Sequence, residues 1–177
     1  MKPLRPTDQK RLHRSWRQRT DGRLALVLDN VQTPYNVGTI VRLAAAFKVE
    51  HLFLAGATSS PSHPGARKTA LGTERLVPMS DHRLAVDAIA AARADGFFVV
   101  GVELAGDAVP LFDVDLSQAD GVCLIVGHED RGLTPQCLDA CDAVTYIPTP
   151  GRVGSLNVAT ATAIALYEVR RREWQAQ

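Results

Sequence analysis

The stretch DGVCLIVGHEDRGL, residues 120–133, carries the strongest evidence about the fold. Its first half is an unbroken apolar run, whereas a strand with one face in water alternates apolar and polar residues. A run that is apolar at every position is typical of a strand buried on both faces, as in a parallel sheet. The run stops at Gly127, and the polar, glycine-bounded segment GHEDRG (127–132) follows directly.

The same pattern recurs on both sides of this stretch, with helical patterns between the apolar runs. The runs are LALVLD (24–29), HLFLAG (51–56), GFFVVGVEL (96–104) and AVTYIP (143–148), with RLVPMS (75–80) as a candidate short strand. The helices are predicted near 36–47, 81–95, 134–141 and 155–173, and ATSSPSHPGA (57–66) is predicted to be a loop. This alternation predicts one α/β domain, a parallel sheet covered by helices on both faces.

A basic arm, residues 1–22, precedes the domain predicted over 23–177. Residues 1–23 hold eight Lys and Arg against two Asp, a net charge of +6, whereas the remaining residues sum to −5. Two interpretations stay open, a solubilising tail and a segment that contacts phosphates. Trp16 within the basic run favours nucleic acid, because bases stack on aromatic rings.

Composition excludes several classes of protein. No apolar run is long enough to span a bilayer, and no apolar stretch follows the basic N-terminus as in a secretory signal. We therefore expect a cytoplasmic protein with no membrane partner. The three cysteines form no CxxC pair and the five histidines lie at no metal-ligand spacing, so we expect reduced thiols and no metal.

Polar residues gather where three of the predicted strands end, which is where ligands bind in parallel sheets. The first strand leads to Asn36 and Arg42, the strand at 120–127 to Glu129, and the strand at 143–148 to Ser155 and Asn157. Three common ligand-binding or catalytic loop motifs are missing from the sequence. The first strand is not followed by GxGxxG, Leu133 stands where a phosphate loop needs lysine, and no GxSxG elbow occurs. Taken alone, Ser155 also fits an ordinary helix N-cap.

Three segments, in this order, resemble the motifs of the SPOUT superfamily, specifically the SpoU (TrmH-like) branch of RNA ribose 2′-O-methyltransferases. They are NVGTIVR (36–42), LIVGHEDRGL (124–133) and IPTPGRVGSLNVATATAIALYE (147–168), and the resemblance covers roughly residues 23–170. It implies a trefoil knot in the C-terminal third of the sheet, S-adenosylmethionine bound within it, and a homodimer. His128 and Thr149 depart from the residues that the family uses most often at those places.

The resemblance also assigns residues. The cofactor would be bound by Val102, Glu103, Leu104, Gly127, Gly132, Ile147, Pro148, Ser155 and Leu156. Arg42 would act at the ribose 2′-hydroxyl, either as general base or by holding a phosphate and stabilising negative charge. A guanidinium rarely gives up its proton, which favours the second role. Asn36 would position Arg42 or the substrate, Glu129 would orient Arg42 by a hydrogen bond, and Ser155 and Asn157 would hold the cofactor loop and the ribose.

The predicted activity is therefore metal-free methyl transfer from S-adenosylmethionine to the 2′-oxygen of an RNA. Transfer RNA is the expected substrate and ribosomal RNA the main alternative. An RNA-binding module without turnover is an alternative of another class, and the intact set of site residues argues against it. A base-methylating SPOUT enzyme fits less well, because the pairing of Asn36 with Arg42 belongs to the ribose-modifying branch.

Overall fold

The computed structural model describes residues 2–176; Met1 and Gln177, the outer limits of the two predicted segments, lie outside them. Seven strands form one sheet in the order β3-β2-β1-β6-β4-β7-β5, and every neighbouring pair is parallel. The strands are β1 (Arg23–Asp29), β2 (His51–Ala55), β3 (Met79–His82), β4 (Phe98–Val102), β5 (Val109–Pro110), β6 (Gly121–Val126) and β7 (Ala143–Tyr146). The helices are α1 (Pro6–Gln18), α2 (Pro34–Ala46), α3 (Pro64–Ala70), α4 (Ala85–Ala94), α5 (Pro135–Ala140) and α6 (Val158–Gln175), with a 3-10 helix at Thr73–Arg75.

Alternate side chains of the central strand β1 enter two separate cores. Leu24, Leu26 and Leu28 pack in one core with apolar residues of α2 and α6. Ala25 and Val27 pack in the other with residues of α4 and α5. Strand β6 lies beside β1 and is buried along its whole length. The prediction of a parallel sheet with helices on both faces is confirmed.

The structure differs from the sequence prediction in several elements. The stretch predicted as a loop leads into α3, whose Pro64 occupies the first turn and whose His63 side chain caps it, accepting from the Gly65 N–H. The two-residue strand β5 was not predicted, since two residues show no periodicity. Strand β3 lies at 79–82 rather than 75–80, and α6 begins at 158 rather than 155.

Within the basic arm, Pro6–Gln18 forms helix α1, and no residue of this helix is buried. Its end is fixed to α6, because the Trp16 and Trp174 ring centroids lie 4.9 Å apart and the Trp174 Nε1–H donates to Thr20 Oγ1 at 2.9 Å. The fully buried Arg170 guanidinium donates to the carbonyl oxygens of Gly22 and Phe47, at 2.7 and 2.8 Å. The joint between arm and domain is therefore ordered.

Two further observations concern the described chain as a whole. Across residues 2–176, no helix combines the length and the apolar character needed to cross a membrane. The thiols of Cys123, Cys137 and Cys141 are all free.

Candidate functional site

A cavity of about 690 Å³ opens where β4, β6 and β7 end. Its wall comes from the segments after these strands and from the start of α6. All the predicted cofactor residues line it except Pro148, whose neighbours Ile147 and Thr149 do. The lining residues that were predicted are Val102, Glu103, Leu104, Gly127, Glu129, Gly132, Ile147, Ser155 and Leu156.

The loop between Gly127 and Gly132 is closed on itself by backbone hydrogen bonds. The His128 N–H donates to the Gly132 carbonyl at 3.2 Å, and the Gly132 N–H donates to the His128 carbonyl at 2.9 Å. Gly132 has φ +63°, and a Cβ there would lie 2.0 Å from Glu103 Oε2. A Cβ at Gly127 would lie 2.4 Å from the Gly132 carbonyl carbon. Both positions therefore require glycine, and the loop has one compact conformation.

Glu103, half-buried at the end of β4, ties two walls of the cavity together. Its Oε2 accepts from the Leu133 N–H at 2.9 Å and its Oε1 accepts from the Leu104 N–H at 3.1 Å. The carboxylate thus holds the end of the loop after β6 against the segment after β4.

Glu129 is a charged residue that accepts several hydrogen bonds in a polar network beside the cavity. Its carboxylate accepts from the Thr33 N–H at 2.9 Å, the Gln32 N–H at 3.2 Å and the Asn36 Nδ2–H at 3.0 Å. Burial raises the pKa of this carboxyl, but the hydrogen bonds from Asn36 and Thr33 outweigh burial and lower the pKa from 4.5 to about 2. Glu129 is therefore ionised at neutral pH and fixed to the start of α2.

Asn157 extends this network to α6. Its Nδ2–H donates to Asn36 Oδ1 at 3.0 Å, while its Oδ1 accepts from the N–H groups of Ala159 and Thr160 at 3.0 and 3.3 Å. Asn157, not Ser155, is therefore the N-cap of α6. Ser155 lies exposed in the preceding loop and lines the cavity.

Arg42 is exposed on α2 and does not line the cavity. Within residues 2–176 no hydrogen bond or ion pair engages its guanidinium. The hydrogen bond expected between Glu129 and Arg42 is not formed among the described residues, where Glu129 accepts from Asn36 and two backbone N–H groups.

Sequence reasoning missed part of the cavity wall. Five of the residues that it did not assign lie on the same loops as those it did, and the other four lie at the ends of β6 and β7 and at the start of α6. They are Val126, His128, Asp130, Arg131, Tyr146, Thr149, Gly154, Val158 and Ala161. No group of three or more His, Cys, Asp or Glu side chains suited to a metal occurs among the described residues.

The chain is similar to proteins that are named for methylation of RNA. The model of the SpoU rRNA methylase family matches residues 23–167. The 23S rRNA (guanosine-2′-O-)-methyltransferase RlmB of Acinetobacter baylyi is 36% identical over 155 residues, 87% of this chain and 62% of that protein. The tRNA (guanosine(18)-2′-O)-methyltransferase of Escherichia coli is 30% identical over 158 residues, 86% of this chain and 65% of that protein.

Two solved structures are similar to the model. The AdoMet-bound rRNA methyltransferase of Sinorhizobium meliloti gives a TM-score of 0.79 at 33% identity, over 86% of this chain and 57% of that one. A protein studied for 2-OH methylation of C/U34 on tRNA gives a TM-score of 0.75 at 30% identity, over 88% of this chain and 99% of that one. The chain thus spans about three fifths of the length of the curated relatives and nearly all of the last protein.

Proposed function

The chain belongs to the SpoU rRNA methylase family, and from this premise we propose that it transfers a methyl group from S-adenosylmethionine to a ribose 2′-oxygen of RNA. The observation that carries the proposal is the hydrogen-bonded series Glu129–Asn36–Asn157 beside a cavity made of three strand-end loops. These residues come from three separate motifs of the sequence, yet the fold brings their side chains into direct contact.

The cavity fits the proposed cofactor in size and in charge. Its volume of about 690 Å³ lies within the range of about 300–1,000 Å³ that small-molecule sites occupy. Gly127 and Gly132 let the loop after β6 stay compact beside the cavity, because a Cβ at either position would collide with the Gly132 carbonyl or the Glu103 carboxylate. The carboxylates of Glu103, Glu129 and Asp130 line the cavity and offset the charge of a sulfonium. When bound there, the cofactor supplies a methyl group on a good leaving group.

The protein's own residues would orient the ribose and assist the loss of its proton. Asn36 and Asn157, fixed by Glu129 and by the α6 N-terminus, would hold the ribose close to the cavity. Arg42 would hold the adjacent phosphate and stabilise negative charge that develops on the 2′-oxygen. Ser155 would support the loop over the cofactor. This route needs no metal, because the nucleophile is oriented by side chains and the leaving group is already activated.

Transfer RNA is the substrate that we propose, with ribosomal RNA as the alternative. Relatives named for each RNA match the chain comparably. The protein linked to C/U34 of tRNA supports tRNA, since the similarity covers 99% of that protein at 30% identity. Helix α1, which carries four Lys and Arg against one Asp, would contact phosphates. An enzyme of this kind would act in the cytoplasm, where these RNAs are.

The finer features of the family, a knot and a dimer, are also part of the proposal. Strand β7 lies between β4 and β5, so the chain returns into the sheet after leaving its edge, as threading would require. Exposed apolar side chains on the neighbouring helices α2 and α6 offer a surface for a second subunit. These are Tyr35, Ile164 and Tyr167.

The proposed function is tested by incubating the protein with methyl-labelled S-adenosylmethionine and purified tRNA or rRNA. We expect label in RNA with the wild-type protein and a strongly reduced level with Asn36→Ala, whose side chain links Glu129 to Asn157. A folded protein that binds the cofactor but labels neither RNA would contradict the proposal.

A further inference from the structure

The loop after β6 presents two side chains that the proposed chemistry does not use, His128 and Arg131. Both line the cavity, His128 half-buried and Arg131 exposed. The paired backbone hydrogen bonds between His128 and Gly132 fix the loop that carries them. The two side chains therefore stand at the cavity rim on a preorganised support.

The protonation of the His128 ring follows from its neighbours. The Asp130 N–H donates to His128 Nδ1 at 3.0 Å, so Nδ1 must carry a lone pair. A neutral imidazole has one N–H, and here that hydrogen is on Nε2. His128 therefore offers a donor, not an acceptor, at its outer nitrogen.

Beside this donor lies a second one, the Arg131 guanidinium, for which the described residues supply no acceptor. An Arg131 terminal nitrogen is 3.4 Å from His128 Nε2, and guanidinium nitrogens carry only hydrogens. Two N–H groups cannot bond to each other, but at this spacing they can converge on one acceptor group. No carboxylate within residues 2–176 forms an ion pair with Arg131, although Asp130 adjoins it in the chain.

We propose that His128 and Arg131 form a donor pair that holds a phosphodiester group of the RNA substrate at the rim of the cavity. The inference rests on the proposed function and adds a contact that determines the position of the bound RNA relative to the cavity. Arginine fits the two free oxygens of a phosphate with paired N–H groups, and the imidazole N–H adds a third donor. The cofactor, with its sulfonium, fits the acidic part of the wall instead, beside Glu103 and Glu129.

Two substitutions at His128 distinguish the effect of the Nε2–H donor from the effect of side-chain size. His128→Gln keeps an N–H at about the reach of Nε2, whereas His128→Asn ends near the position of Nδ1. We expect the asparagine variant to weaken RNA binding several-fold and the glutamine variant to stay near wild type. Equal loss in both variants, or loss in neither, would overturn the role of the Nε2 donor.

The phosphate contact itself is tested with Arg131→Ala and an exposed arginine at the other edge of the sheet, Arg83→Ala. RNA affinity is measured against salt, and S-adenosylmethionine affinity by calorimetry. One lost phosphate contact lowers the slope of log affinity against log salt by about 0.7–0.9. We expect this loss with Arg131→Ala and not with Arg83→Ala, with cofactor affinity unchanged in both.

Two results would overturn the donor pair. One is a wild-type salt slope in Arg131→Ala, and the other is a loss of cofactor affinity in that variant with RNA binding intact. Methyl transfer by the wild-type preparation is measured alongside. Activity in the wild type with an unchanged slope in the variant refutes the inference alone, whereas no activity in the wild type counts against the proposed function.

Discussion

Asn157 performs two tasks with one side-chain amide. Its oxygen caps α6, and its NH₂ group reaches Asn36, which in turn donates to Glu129. The sequence identified these polar residues as site candidates because they follow predicted strands. It could not give their partners, since which atoms meet depends on how three loops pack. For the same reason it paired Glu129 with Arg42, whereas α2 places the guanidinium in solvent.

The residue-scale prediction for catalysis concerns Arg42. Because the side chain is exposed and forms no hydrogen bond or ion pair with the described chain, Arg42→Ala should leave stability and cofactor affinity unchanged. Methyl transfer should fall about a hundredfold or more, the loss expected for one preorganised donor. Arg42→Lys keeps the charge but not the planar fork, so it should be nearly as poor as alanine.

Single-turnover rates across pH distinguish the two proposed roles of Arg42. Lysine loses its proton more easily than arginine, so recovery of activity in Arg42→Lys at high pH would indicate a general base. A wild-type rate in Arg42→Ala would remove this residue from the site altogether.

Glu129 gives a prediction about pH and stability. Its folded pKa, about 2, lies below the ordinary value of 4.5, so the ionised carboxylate contributes stability in full above about pH 4.5. That contribution is lost as the pH falls from there towards 2. Glu129→Gln should lower the free energy of unfolding by about 1 kcal/mol at pH 7, a small value for bonds to a charged group because solvent screens it. Denaturant titrations should show the difference shrinking in acid; a constant difference would contradict this account.

At the scale of elements, the sequence predicted the buried strands well and the region after β2 poorly. Strands β1, β2 and β6 are apolar at nearly every position, and this pattern predicts a strand that is buried on both faces. Helix α3 begins inside a segment rich in Ser, Pro and Gly, which is also the composition of a loop, and the 3-10 helix that follows has only three residues. The start of α6 was displaced because Ser155 and Asn157 are both good N-caps, and geometry decides between them.

A prediction about a whole element concerns the basic arm and its role in RNA binding. Removal of residues 1–19 should weaken RNA binding and flatten its salt dependence, because each Lys or Arg on a phosphate contributes about one unit of slope. Thr20 is kept, since it bonds Trp174 and closes the joint with α6. Cofactor affinity measured by calorimetry should not change. An unchanged salt slope would make α1 a helix without a role in RNA binding.

At the scale of the whole molecule, exposed apolar side chains lie on the neighbouring helices α2 and α6. Aromatic rings of Phe47 and Tyr167 meet there at 6.4 Å, and Tyr167 is half exposed. We expect the wild-type protein to sediment as a dimer at micromolar concentration. Ile164→Asp should give monomers, because a buried unpaired charge is costly at an apolar interface.

The control for the dimer is Leu84→Asp. Leu84 is exposed to a similar extent but precedes α4, on the other face of the sheet. Because aspartate also suits the N-cap position that Leu84 occupies, the fold should tolerate it. This variant should remain dimeric, and a wild-type protein that sediments as a monomer would contradict the proposed assembly.

The central claim, methylation at a ribose 2′-oxygen, is tested most directly by alkaline hydrolysis of RNA labelled by the protein. Alkali cleaves RNA through attack of the free 2′-hydroxyl, so a 2′-O-methyl group protects the adjoining linkage while a methylated base does not. The account predicts that the label is recovered in alkali-resistant dinucleotides. Recovery of the label in mononucleotides would show that a base is methylated, and would contradict the account.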